Sequence, residues 1–187
     1  MEENLRQSIR SIGRFSDEQL HEIGEVFKSA TYRKGEHLLE EGEVCSAYWF
    51  IRSGSVHQYH LNANHDQVTT GLFVAGQWVL DPISFTGRKA SSDCLEAFED
   101  TQTFQMTIHQ VHELIARSQV YFQLGKILEW VGRRPFTKEQ GPDERYLKLL
   151  ESTPEILQCF PLKYIASYLE MTPETLSRVR KRISSRS

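Results

Sequence analysis

RKGEHLLEEGEVCSAYWFIRSGSVHQYHL, residues 33–61, decides how the chain is read. Three runs, HLLE, AYWFI and SVHQYHL, are rich in apolar, aromatic or β-branched residues, and Gly35, Gly42 and Gly54 punctuate them. Runs of this length bounded by turn residues predict β-strands. A helix through the same stretch would bury its glycines in a helix interior, at about 1 kcal/mol each. The texture spans about Thr31 to Thr107, through QVTTGLFV, QWVL, CLEAFE and QTFQMTI, with Gly71, Gly76 and Gly87 among them. Many short strands at this spacing suggest a β-sandwich or jelly roll.

Helical patterns flank this region. Ser16 precedes DEQL with Gln19 three residues on, a capping-box pattern that predicts a helix over about 16–29. Thr107 repeats the pattern with Gln110. Farther on, Val120, Leu124, Ile127 and Val131 recur at spacings of four, three and four. That is either a coiled-coil-like seam of two heptads or an amphipathic helix packed on its own domain. Gly125 and Gly132 weaken it, and Pro135 ends it. PFTKEQGP, residues 135–142, reads as a linker, and DERYLKLLES and TPEILQCF as short helices after it. The expected division is 1–134 and 135–187.

The 187 residues, 39% hydrophobic and 25% charged, fit a soluble globular chain of one or two domains. No window approaches the roughly 18 consecutive apolar residues of a membrane span. The N-terminus does not read as a signal peptide. Cys45, Cys94 and Cys159 lie far apart, which fits a reducing cytoplasm and neither a disulfide framework nor an iron–sulfur site.

Charge is unevenly placed. From Pro161 onward six Lys/Arg face two Glu, a local +4 in a chain whose net charge is −3. The segments LKYIASYL and TPETLSRVRKRI have the spacing of a helix-turn-helix, with Ala166 small enough for close helix approach. Ile165, Leu169, Met171, Leu176 and Val179 form its apolar set, and Thr172 and Pro173 suit an N-cap and a first helical position. Glu170 holds a turn position that often needs positive φ, at a cost of up to about 1–2 kcal/mol. With the apolar set inward, Glu174, Thr175, Ser177, Arg178, Lys181 and Arg182 face outward. Arg178 can contact guanine and Glu174 cytosine, while Lys163, Lys181 and Arg182 suit phosphates.

Residues 33–61 and the tail FPLKYIASYLEMTPETLSRVRKRI together resemble the Crp/Fnr transcription regulators, over roughly residues 15–183. The resemblance implies an α+β fold: an antiparallel β-roll or jelly roll with flanking helices, a connecting dimerisation helix and a C-terminal helix-turn-helix. It also implies a homodimer on a two-fold symmetric DNA site, with RNA polymerase as a further partner and an effector pocket in the roll. The pocket departs from the family. Cyclic-nucleotide binders carry Gly-Glu and then Arg-Ser/Thr-Ala, whereas GQWVLDPISFTGRKASSDCLEA has Leu80-Asp81 and Ser91-Ser92-Asp93 there. Without the phosphate-binding Arg, cyclic AMP is disfavoured by a few kcal/mol, on the order of one charged contact. The candidate effector residues are Asp81, Arg88, Lys89, Ser91 and Ser92. No cofactor or metal is expected. Few residues follow the last helix here, so the β-hairpin wing of longer members is expected to be absent.

Two other readings remain: a sensor or adaptor that binds protein, and a cupin-type metalloenzyme suggested by His57, His60 and His65. His57 and His60, three apart on a strand, point to opposite faces, which argues against a shared metal.

Overall fold

The computed structural model describes residues 1–131, 134–137 and 139–185. Helices α1 (Glu3–Ile12) and α2 (Asp17–Val26) come first. Ser16 caps α2 through a full capping box with Gln19. Eight strands follow: β1 Lys28–Tyr32, β2 His37–Leu39, β3 Ala47–Ser53, β4 Ser55–Leu61, β5 Gln67–Val74, β6 Trp78–Val79, β7 Cys94–Ala97 and β8 Thr101–Thr107. They form two four-stranded sheets, ordered β1-β8-β3-β6 and β2-β7-β4-β5, with every pairing antiparallel. This is the expected roll. Gly54 joins β3 to β4 with φ 89°, and a Cβ there would lie 2.7 Å from the Asp100 carbonyl oxygen. The turn between the sheets therefore requires glycine.

Helix α3 (Pro82–Gly87) crosses between β6 and β7, and α4 (Ile108–Arg117) leaves β8 under a Thr107–Gln110 capping box. The continuous helix expected over 120–131 is corrected here. Ser118 is extended, Gln119–Lys126 is a 3-10 helix, and only Ile127–Trp130 (α5) is α-helical. Leu124 and Ile127 are fully buried with Leu5, Ile9 and Ile12 of α1 in the core of the same chain. Packing against α1 occupies the apolar seam. The four-three spacing thus served an intramolecular core, and among the described residues no long connecting helix forms.

The C-terminal part comprises α6 (Pro142–Ser152), α7 (Ile156–Cys159), α8 (Leu162–Tyr168) and α9 (Pro173–Ser184). Its core gathers Tyr146, Leu149, Ile156, Phe160, Ile165, Leu169, Leu176 and Val179, and also takes Leu72 and Val74 from β5. The outer face of the roll is therefore the floor of the helical part. None of the described helices is long and apolar enough to cross a membrane.

Candidate nucleic-acid interface and roll cavity

Helices α8 and α9 meet at a corner. Ala166 is fully buried, and a larger side chain there would force the helices apart. Glu170 has φ 56°, and the N–H groups of Glu170 and Met171 donate to the carbonyls of Ser167 and Ala166 at 3.0 and 2.9 Å. The left-handed residue thus closes the end of α8. Its carboxylate bonds to Arg134 at 2.5 Å and lies 3.7 Å from Arg145. Thr172 then caps α9 by accepting from Thr175 N–H at 3.2 Å, with Pro173 at the first helical position.

On α9, Leu176 and Val179 are 0% and 1% exposed and point into the corner. Glu174, Ser177, Arg178, Arg180, Lys181 and Arg182 are exposed, and Thr175 is partly so. The Glu174 carboxyl is held below its usual range by its own backbone N–H, then by the Thr172 hydroxyl and by Arg178. It therefore stays ionised beside Arg178. Arg182 is turned toward α6, where Asp143 accepts from its Nε at 2.8 Å. Lys163 is exposed on α8, with its ammonium 4.6 Å from the Tyr164 ring centroid.

Helix α8 rests on β5 of the roll. Thr69 N–H of β5 donates to Ser167 Oγ at 3.0 Å. His57 of β4 sits in this seam, bonded to Thr69 Oγ1 at 3.0 Å and edge-on to Tyr164 at 4.9 Å. Burial, helped by the Lys163 charge, lowers the His57 pKa to about 4, so the imidazole is neutral. His57 is buried and His60 is half-exposed on the same strand. Among the described residues no three His, Cys, Asp or Glu side chains are grouped to hold a metal ion.

The five candidate effector residues separate. Asp81 caps α3, its Oδ1 accepting from the N–H groups of Ile83 and Ser84 at 2.9 and 3.1 Å. Ser91 Oγ donates to Asp81 Oδ2 at 2.7 Å. Asp81 and Ser92 line a cavity of about 560 Å³ together with Asp93, Glu129 and Arg134. Arg88 and Lys89 are exposed and absent from the described lining. The carboxylate of Asp81 thus occupies the helix end where an anion would be favoured. Asp93 adds a second carboxylate, accepting from Gln58 and Thr70 at 2.8 and 2.6 Å. Sequence reasoning missed Arg134 and Glu129, because only folding brings the segment after α4 over the roll.

Residues 30–118 match the family model of the cyclic nucleotide-binding domain. No curated protein matches the chain. Among solved structures, FixK2 from Bradyrhizobium japonicum superposes with a TM-score of 0.68 at 17% identity, covering 86% of each chain. The Thermus thermophilus catabolite activator protein gives 0.54 at 18% identity over 92% of this chain and 85% of that one. The sensor domain of the transcriptional regulator DNR from Pseudomonas aeruginosa gives 0.56 at 16% identity, over 73% and 92%. The family model thus covers the roll, and the superpositions show a shared fold that extends over most of the chain.

Proposed function

We propose that the chain is a DNA-binding transcriptional regulator of the Crp/Fnr type, reading a two-fold symmetric site as a homodimer. The observation that carries this reading is the split along α9. Leu176 and Val179 are buried in the corner, while Glu174, Ser177, Arg178 and Lys181 stand in solvent. A helix held this way presents one polar, cationic face to a major groove. Arg178 and Glu174 are assigned to base edges, with Thr172, Thr175 and Ser177 beside them. Lys163 and Lys181 are assigned to phosphates, and Arg182 joins them once released from Asp143.

Dimerisation cannot use Leu124 and Ile127, which are already buried in the chain's own core. The large apolar side chains left outside on that segment are Phe122 and Trp130, 62% and 51% exposed. The roll cavity is not a cyclic AMP site in this reading, because Asp81, Asp93 and Glu129 oppose a phosphate there. RNA polymerase is the expected further partner.

Selection of bound sequences from a random duplex library, with a salt titration, tests the reading. A sequence-selective fraction whose affinity falls steeply with salt supports it. Indifference to every duplex at low salt overturns it in favour of a protein-binding adaptor.

A further inference from the structure

A second cavity, of about 330 Å³, lies where the roll, the segment after α5 and the helical domain meet. Its walls are largely apolar. Phe73 and Trp78 come from the roll, Trp130 from α5, and Leu149, Ile156 and Tyr168 from the helical domain. Gln58 and Gln77 add neutral amides, and Gln77 Nε2 reaches across to Thr153 Oγ1 at 3.4 Å. Arg134 is the only charged side chain among the described lining residues. The roll cavity shares Arg134, Gln58, Thr70 and Val131 with this site, but Asp81, Asp93 and Glu129 are among its described lining residues and not among those of this site. Burial, partly opposed by Arg134, pushes Tyr168 up to about 12, so its phenol stays neutral.

Arg134 is also the residue that joins the cavity to the corner. One of its guanidinium nitrogens bonds to Glu170 and another approaches the Thr70 carbonyl at 3.5 Å. Its guanidinium lies over the Phe136 and Tyr168 rings, 5.8 and 5.5 Å from their centroids. A planar fork stacked on aromatic faces keeps its orientation when its anionic partner changes. Glu170 has a second cation in Arg145, so losing Arg134 does not strand its charge.

We propose that this cavity binds a small aromatic carboxylate. The ring system lies among Phe73, Trp78, Trp130 and Tyr168, and the carboxylate takes Arg134 in place of Glu170. The apolar walls supply a driving force that Glu170 lacks, and the guanidinium selects an acid over a neutral analogue. Occupancy would loosen the tie between the roll and the corner residue ahead of α9. That consequence rests on the DNA-binding reading, whereas the binding itself does not.

Calorimetric titration of the full chain with 2-naphthoate tests the site, without DNA. Saturable binding is expected, with 2-naphthamide about tenfold weaker, the value of one charge-assisted contact. Arg134→Gln should lose about the same factor. Glu170→Gln removes the competing carboxylate while leaving the cavity lining intact, and should bind naphthoate several-fold more tightly. Equal binding of acid and amide, unchanged affinity in either variant, or no saturable heat would overturn the proposal. Failure to bind any duplex would overturn the regulator reading alone, since the titration contains none.

Discussion

Ser91 Oγ donates a 2.7 Å hydrogen bond to Asp81 Oδ2, and both residues are buried at the start of α3. The other oxygen of the same carboxylate accepts two backbone N–H groups. One side chain thus satisfies the end of the helix and places a carboxylate in the lining of the roll cavity. Asp81→Ala should cost about 1–2 kcal/mol, the value of a lost cap, since Ser91 Oγ can turn to the Asp93 carbonyl 2.8 Å away. Urea unfolding measures it, and cyclic AMP should leave the wild-type midpoint unchanged.

Glu170 pairs two opposing contributions. Its left-handed φ of 56° is strained for a side chain, while its carboxylate engages Arg134 and Arg145. Glu170→Ala keeps the strain and loses the ion pairs, for a loss of about 1 kcal/mol. Glu170→Gly loses the same pairs but relieves the strain, and should fall within about 0.5 kcal/mol of wild type. An Ala variant more stable than the Gly variant in urea would contradict this account of the corner.

His57 makes stability depend on pH. Its pKa is about 4 in the folded chain against an ordinary 6.5, chiefly through burial. Between those values the unfolded chain binds a proton that the folded chain refuses. The neutral imidazole therefore contributes no pH dependence above about 6.5, and stability is lost as pH falls toward 4. The difference amounts to roughly 2–3 kcal/mol across the window. His57→Gln should flatten the curve there relative to wild type in urea melts at pH 7 and pH 4.5.

Arg178 and Lys181 should differ in kind. Arg178→Ala should relax selectivity at one base position, by about 1–3 kcal/mol of discrimination. Lys181→Ala should weaken all duplexes alike and reduce the salt slope by about 1. Binding of both variants to matched and mismatched sites over a salt series separates the two. Equal effects on every sequence would contradict the division of roles.

Much of this was legible in the chain. The runs punctuated by Gly35, Gly42 and Gly54 became β2, β3 and β4, because aromatic and β-branched runs and turn glycines are local signals. The caps at Ser16, Thr107 and Thr172 are all formed, since a cap needs only residues within one turn. The segment after Arg117 was not legible in the same way. Its apolar spacing fits a partner helix or an internal core equally, and α1, distant in sequence, decided the matter.

The sequence by itself determined the roll, the capped helices and the cationic outer face of α9, because β-forming runs between turn glycines, capping and amphipathic spacing are set by near neighbours. Only the tertiary structure decided that Arg134 bridges to Glu170, that β5 floors the helical core, and that Asp81 and Ser91 seal α3. Each of these joins residues far enough apart that no local pattern encodes the contact. They depend on where packing brings whole elements to rest, and the charge and burial of the cavities follow from that placement.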